Sequence, residues 1–242
     1  MKTDHERAQS ETRNVVDDMN VPHHMFYSPT SDQYWDQRLK VLCVNLEPYG
    51  YEGHRRYEVS RADLIGWMFE AGTGRHKSRT VRNTMAAAAV LIKGFELNIG
   101  IQADDFSAAY KNKPWLTNTL EKVCYYNIRP ASNSVKNEAN RSAKDYTGRM
   151  AISIANEIKA LDSDVILVSG AKATDVLLNF MQITPGFIIN GVAQAGSAVV
   201  LSVKHFSRPS YKQLESVLNS GLSKISPIKK TALRASNADS LS

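Results

Sequence analysis

The chain reads as an α/β protein of three αβα layers, built on a central, mostly parallel sheet of four or five strands. Two observations carry that reading. Short apolar runs at 41–46, 122–128, 164–169 and 197–203 are each bounded by polar or turn residues, and segments of helical periodicity separate them. The runs are apolar throughout rather than alternating, as strands covered on both faces should be. With 242 residues, 43% of them apolar, the chain can bury one full core.

Taken in order, residues 1–36 are polar and charged, which predicts a loosely held N-terminal arm. Within it, His23 and His24 are adjacent and have no Cys, Asp or Glu at ligand spacing, so no metal site is assigned. The α/β domain is placed at 37–222. Its first strand, Val41 to Leu46, runs into Glu47-Pro48-Tyr49-Gly50. Ser60 is the N-cap expected for a helix to about Ala71, with Leu64, Ile65, Trp67, Met68 and Phe69 on its apolar side and Gly72-Thr73-Gly74 as its stop. A helix over 76–93 follows, basic at first (His76, Lys77, Arg79, Arg82) and then Ala-rich. Those cations either lie along a phosphate backbone or are solvated.

Lys122 to Ile128 is the second predicted strand, and a long helix is expected from Val135 to Leu161. The third strand, Asp164 to Ser169, turns at Gly170 into a helix carrying Val176, Leu177, Leu178 and Phe180. Phe187 to Asn190 reads as a short strand, followed by the strand ending at Val203 and a helix from Ser210 to Leu222. Residues 223–242, with Lys224, Lys229, Lys230 and Arg234, are expected to form a flexible basic tail.

Lys and Arg number 30 against 24 acidic residues, and the resulting charge of +6 suits a polyanionic partner without requiring one. Cys43 and Cys124 lie inside apolar runs and are expected as buried thiols, which points to a cytoplasmic setting. No run of eighteen apolar residues occurs, so no membrane span is predicted. GxGxxG, GxxxxGK[ST] and GxSxG are all absent, which removes the usual marks of dinucleotide, P-loop and serine-hydrolase chemistry.

Polar residues then stand at four strand ends: Glu47, Asn127, Ser169 with Gly170, and His205. Taken singly, each is an ordinary strand-end or turn residue. Together, in kind and order, they resemble the motifs of the uracil-DNA glycosylase superfamily over about residues 38–222. Glu47-Pro48-Tyr49 is similar to the Asp-Pro-Tyr of its first motif, and His205-Phe206-Ser207 to its His-Pro-Ser. The resemblance implies a fold of that kind and a monomer that acts on DNA without a cofactor. It also implies roles: Glu47 for water activation, His205 for the departing base, Tyr49, Phe69 and Asn127 for base binding, and Ser169, Gly170, Lys172, Ser207, Arg208 and Tyr211 for DNA contact. A core role for Phe69 stands beside the stacking one, and a turn role for Asn127 beside the base-reading one. Arg208 and Tyr211 are the alternatives for a wedge residue.

The chain departs from the family pattern in ways that bear on substrate. Glu replaces the shorter Asp, Phe206 and Pro209 replace Pro and an intercalating Leu, and a polar segment, Tyr51 to Tyr57, appears inserted. That segment points to a bulky modified cytosine of viral DNA, hence a defence enzyme, whereas Tyr49 favours uracil and a repair role. A non-catalytic DNA-binding module on the same fold is the other reading, and the presence of both Glu47 and His205 weighs against it.

Overall fold

In the computed structural model the described residues are 2–18, 32–45, 65–66, 68–69, 75–128, 149–182, 191–204, 206 and 210–239. Five strands form one sheet: Val41–Asn45 (β1), Val123–Asn127 (β2), Val165–Ser169 (β3), Val192–Ala195 (β4) and Ala198–Val203 (β5). Their order across the sheet is β2-β1-β3-β5-β4, with the first four parallel and β4 antiparallel at the edge. The four parallel strands are the four apolar runs read from sequence. β4 was not foreseen; it pairs with β5 as a hairpin turning at Gly196. The expected strand at Phe187–Asn190 lies outside the described residues.

Successive strand residues face opposite layers. Val41, Cys43, Val165 and Leu167 join one core, while Leu42, Val44, Ile166 and Val168 join the other. The first core is covered by Arg75–Leu97 (α2), Ala103–Lys111 (α3), Lys113–Lys122 (α4) and Tyr211–Asp239 (α7). The second is covered by Arg149–Ala160 (α5) and Ala171–Phe180 (α6). Cys43 and Cys124 are free, buried and in opposite cores, and burial raises the pKa of both thiols.

Three regions differ from the sequence reading. The expected polar arm contains a helix, Lys2–Asp18 (α1), that packs along α5 with His5, Ala8, Gln9 and Thr12 buried. Ser153 donates to the Thr12 hydroxyl across that contact at 3.0 Å. Residues 98–121, given no element from sequence, hold α3 and all of α4 but its last residue, Lys122, which the sequence reading placed in the second strand; Asn112 caps α4 by accepting from the Trp115 N–H at 3.0 Å, with Pro114 in its first turn. The expected tail continues α7 as helix to Asp239. Of the helix expected from Ser60, only Ile65, Gly66, Met68 and Phe69 are described, and they are helical; of the one expected from Val135, the described part begins at Arg149. No described helix is long and apolar enough to cross a membrane.

Candidate active site at the carboxyl edge of the sheet

Parallel strands bring their carboxyl ends to one rim. Across it stand Asn127 (β2), Asn45 (β1), Ser169 (β3) and Val203 (β5), with Asn45 in register beside Asn127. The chain moves from β1 to β2 on one side and later fills β3 on the other, so the topological switch point lies between β1 and β3. In open α/β sheets that crevice is where ligands bind. Glu47 follows the last residue of β1 by two positions and His205 follows the last of β5 by two. The two segments therefore leave the rim on either side of β3, with bases roughly 10 Å apart, two strand spacings. Glu47, Tyr49, His205, Ser207 and Arg208 themselves, and the Tyr51–Tyr57 segment, lie outside the described residues, as do His23 and His24.

The residue after His205 is held on all sides. The Phe206 ring is fully buried, its N–H donates to Ser169 Oγ at 3.4 Å, and its carbonyl accepts from Asn83 of α2 at 2.7 Å. Beneath it, the Gly170 N–H donates to the Val203 carbonyl at 2.9 Å. Gly170 takes φ 91° and ψ 152°, a backbone region essentially reserved for glycine, and is the N-cap of α6. Thr174 locks this corner: its hydroxyl donates to the Gly170 carbonyl at 3.0 Å and lies 2.7 Å from the Ser202 hydroxyl. The strand-to-loop turn preceding His205 is thus fixed by β3, α2 and α6 together.

Some expected contacts take other roles. The Ser169 hydroxyl, expected to contact DNA, is buried and accepts from the Phe206 backbone N–H, so the outward groups of this turn are Gly170 and the exposed Lys172 in the first turn of α6. Tyr211, a wedge candidate, lies flat on the buried Phe106 ring with centroids 5.8 Å apart and planes at 11°, and burial raises its phenol pKa. Its ring is therefore part of the α3–α7 packing, which leaves Arg208 as the remaining wedge candidate. Phe69 is half-buried against the core, with Lys113 Nζ 4.9 Å and Arg82 Cζ 5.4 Å from its ring centre. The ring meets cations where a stacked base was expected.

Those cations reveal a feature that sequence left ambiguous. Arg82 also lies 4.2 Å from the Tyr110 ring and donates to the Tyr110 carbonyl at 2.8 Å. Arg79 and Lys111 are exposed nearby in sequence, and no carboxylate among the described residues pairs with Arg79, Arg82, Lys111 or Lys113. Arg79 sits one helical turn before Asn83, the residue whose amide holds the Phe206 carbonyl.

Asn45 is the residue that sequence reading passed over. It is 5% exposed, yet neither its Nδ2 nor its Oδ1 has a hydrogen-bond partner among the described residues. The Tyr125 hydroxyl is near enough for Asn45 to favour its ionised form, but burial outweighs this and raises the phenol, and the contact falls short of hydrogen-bond geometry. Leaving such a group unsatisfied costs about 1–3 kcal/mol. A groove of about 240 Å³, lined by Lys93, Glu96, Trp115 and Lys122 among others, lies toward the start of β2 and away from this rim.

Set against protein-family models, curated proteins and solved structures, the chain gives no match. The likeness to uracil-DNA glycosylases accordingly rests on its short motifs.

Proposed function

We propose that the protein is a monofunctional DNA glycosylase that flips a modified pyrimidine out of DNA and hydrolyses its N-glycosidic bond. The observation that carries the reading is the placement of the strands that lead to Glu47 and His205. They end at one rim on either side of β3, next to the switch point, with the turn before His205 fixed through Phe206.

In the proposed reaction water adds to C1′ of the deoxyribose as the C1′–N bond breaks. Glu47 orients the water, takes its proton and offsets the positive charge on the sugar, while His205 donates a hydrogen bond to the base leaving as an anion. Because a base in the duplex is out of reach, the nucleotide must rotate out, and Asn127 and Tyr49 would meet its edge and ring. Arg79, Arg82, Lys111 and Lys113 support DNA as the partner, since no carboxylate among the described residues neutralises them and such cations are able to replace counterions on phosphate. The polar Tyr51–Tyr57 segment favours a bulky modified cytosine, as found in viral DNA, over uracil.

The test is incubation of purified protein with DNA carrying uracil, mismatched thymine, hydroxymethylcytosine or glycosylated hydroxymethylcytosine, followed by mass detection of the free base and alkaline cleavage at abasic sites. Release of the glycosylated or hydroxymethylated base is expected. Release of uracil alone would turn the assignment to repair. No release by folded protein that binds DNA would turn it to a non-catalytic binding module.

A further inference from the structure

We infer that Asn45 is a recognition residue of this site, its carboxamide reading the donor–acceptor edge of a base bound at the carboxyl rim of the sheet. The nature of the ligand rests on the glycosylase reading above; the assignment of a residue on the sheet itself goes beyond it.

Among the residues whose side chains are described, the buried carboxamides are Gln9, Asn45 and Asn83. Asn83 spends its amide on the Phe206 carbonyl, and Gln9 lacks a partner only at Nε2. The half-buried Asn219 is satisfied in both directions, accepting from the Ile101 N–H at 2.9 Å and donating to the Ile101 carbonyl at 2.8 Å. Of these, Asn45 is the one with neither amide atom partnered among the described residues. Its position is as telling as its burial, since it ends β1 at the switch point, two residues before Glu47 and in register beside Asn127.

A carboxamide presents one donor and one acceptor in a plane, and its two orientations differ only by exchange of the two. The complementary group is another planar edge with donor and acceptor side by side, which every pyrimidine base carries once it has left the duplex. A residue kept for packing has no use for that pairing, and an aliphatic side chain of the same size would serve the core better.

The experiment follows from that contrast. Asn45→Leu removes the amide while keeping the branched four-atom skeleton of the side chain, and Asn45→Ala removes it without adding bulk. Each is melted, assayed for base release from the DNA panel, and tested for a thermal shift on adding free uracil, cytosine or 5-hydroxymethylcytosine. The expected result is a melting temperature equal to or above that of the unaltered protein, with base release reduced about 10- to 100-fold and the free-base shift lost. Melting lowered by several degrees in both variants would make Asn45 structural and overturn the inference. So would release and free-base binding equal to those of the unaltered protein, which would leave the glycosylase reading intact. If the unaltered protein neither released nor bound any base, that reading would fail and the inference with it.

Discussion

At the amino edge of the sheet the Lys40 N–H donates to the Asp164 carboxylate at 2.8 Å, the Lys40 ammonium lies 2.9 Å from Asp162, and the Tyr34 hydroxyl lies 3.1 Å from the Leu161 carbonyl and 2.8 Å from Ser163 Oγ. At the carboxyl edge Asn45 is buried with its amide unpartnered among the described residues, and Gly170 takes a backbone conformation open to glycine alone. The same four strands make both edges, so strand chemistry does not explain the difference. Among the described residues, the amino edge closes its polar groups on each other and so holds the fold, whereas the carboxyl edge closes those around Ser169 and Thr174 but leaves the Asn45 amide without a partner. Strain and unsatisfied groups persist in a fold where they serve a site, and otherwise only reduce stability.

The strongest way to break that contrast is to remove the chemistry from the carboxyl edge. Glu47→Ala and His205→Ala should each lower base release by about 10²- to 10⁴-fold, since both are assigned to the transition state. Their melting temperatures should stay within a degree or two of the original, because loop residues carry little of the packing. Full activity in either variant, measured by single-turnover base release, would remove that residue from the mechanism.

How far each edge could be read from sequence follows the same division. β1, β2, β3 and β5 were legible because burial on both faces makes each an unbroken apolar run. α1 was not, because the positions it buries, His5, Gln9 and Thr12, are polar types that hide a sound helical period of 5, 8, 9 and 12. α4 did carry a signal, Asn112 followed by Pro114 and Trp115, a cap and first-turn proline of the kind that marks a helix start. Asn45 was missed since a lone amide inside Val41–Leu46 reads as part of the strand, and only its burial without partners sets it apart. The role of Ser169 was misread for a related reason, because a strand-end serine looks the same whether its hydroxyl turns outward or caps a backbone N–H within.

A second test falls on the closed side of the molecule, where His5 tilts against Trp35 at 5.9 Å and Trp35 in turn packs edge-on against Tyr34 at 5.1 Å. Burial lowers the His5 pKa from 6.5 to about 4, even though Glu157, 3.8 Å away and itself receiving a hydrogen bond from Tyr126, pulls the other way. The folded state therefore binds the proton less readily than the unfolded state. Its stabilising effect is fully present above pH 6.5 and is lost as the pH falls toward 4, by at most about 3 kcal/mol. Melting curves from pH 7.5 to 4.5 should fall more steeply for the unaltered protein than for His5→Leu. Parallel curves would mean that α1 does not bury this imidazole in solution.

The smallest expected effect sharpens the comparison most, because it asks whether the amino edge is structural only. Tyr34→Phe keeps the buried ring and removes the hydroxyl shared by Leu161 and Ser163, leaving the Ser163 hydroxyl without that partner. The loss should be about 1–2 kcal/mol of stability, seen as a melting temperature lowered by a few degrees. Base release at 25 °C should be unchanged, since Tyr34 precedes the strands and the assigned residues follow them. A Tyr34→Phe variant of unchanged stability but impaired release would mean that the two edges are coupled through β1 and β3. The amino edge would then set the geometry of the carboxyl rim, and the division between a closed edge and an open one would describe polar satisfaction alone.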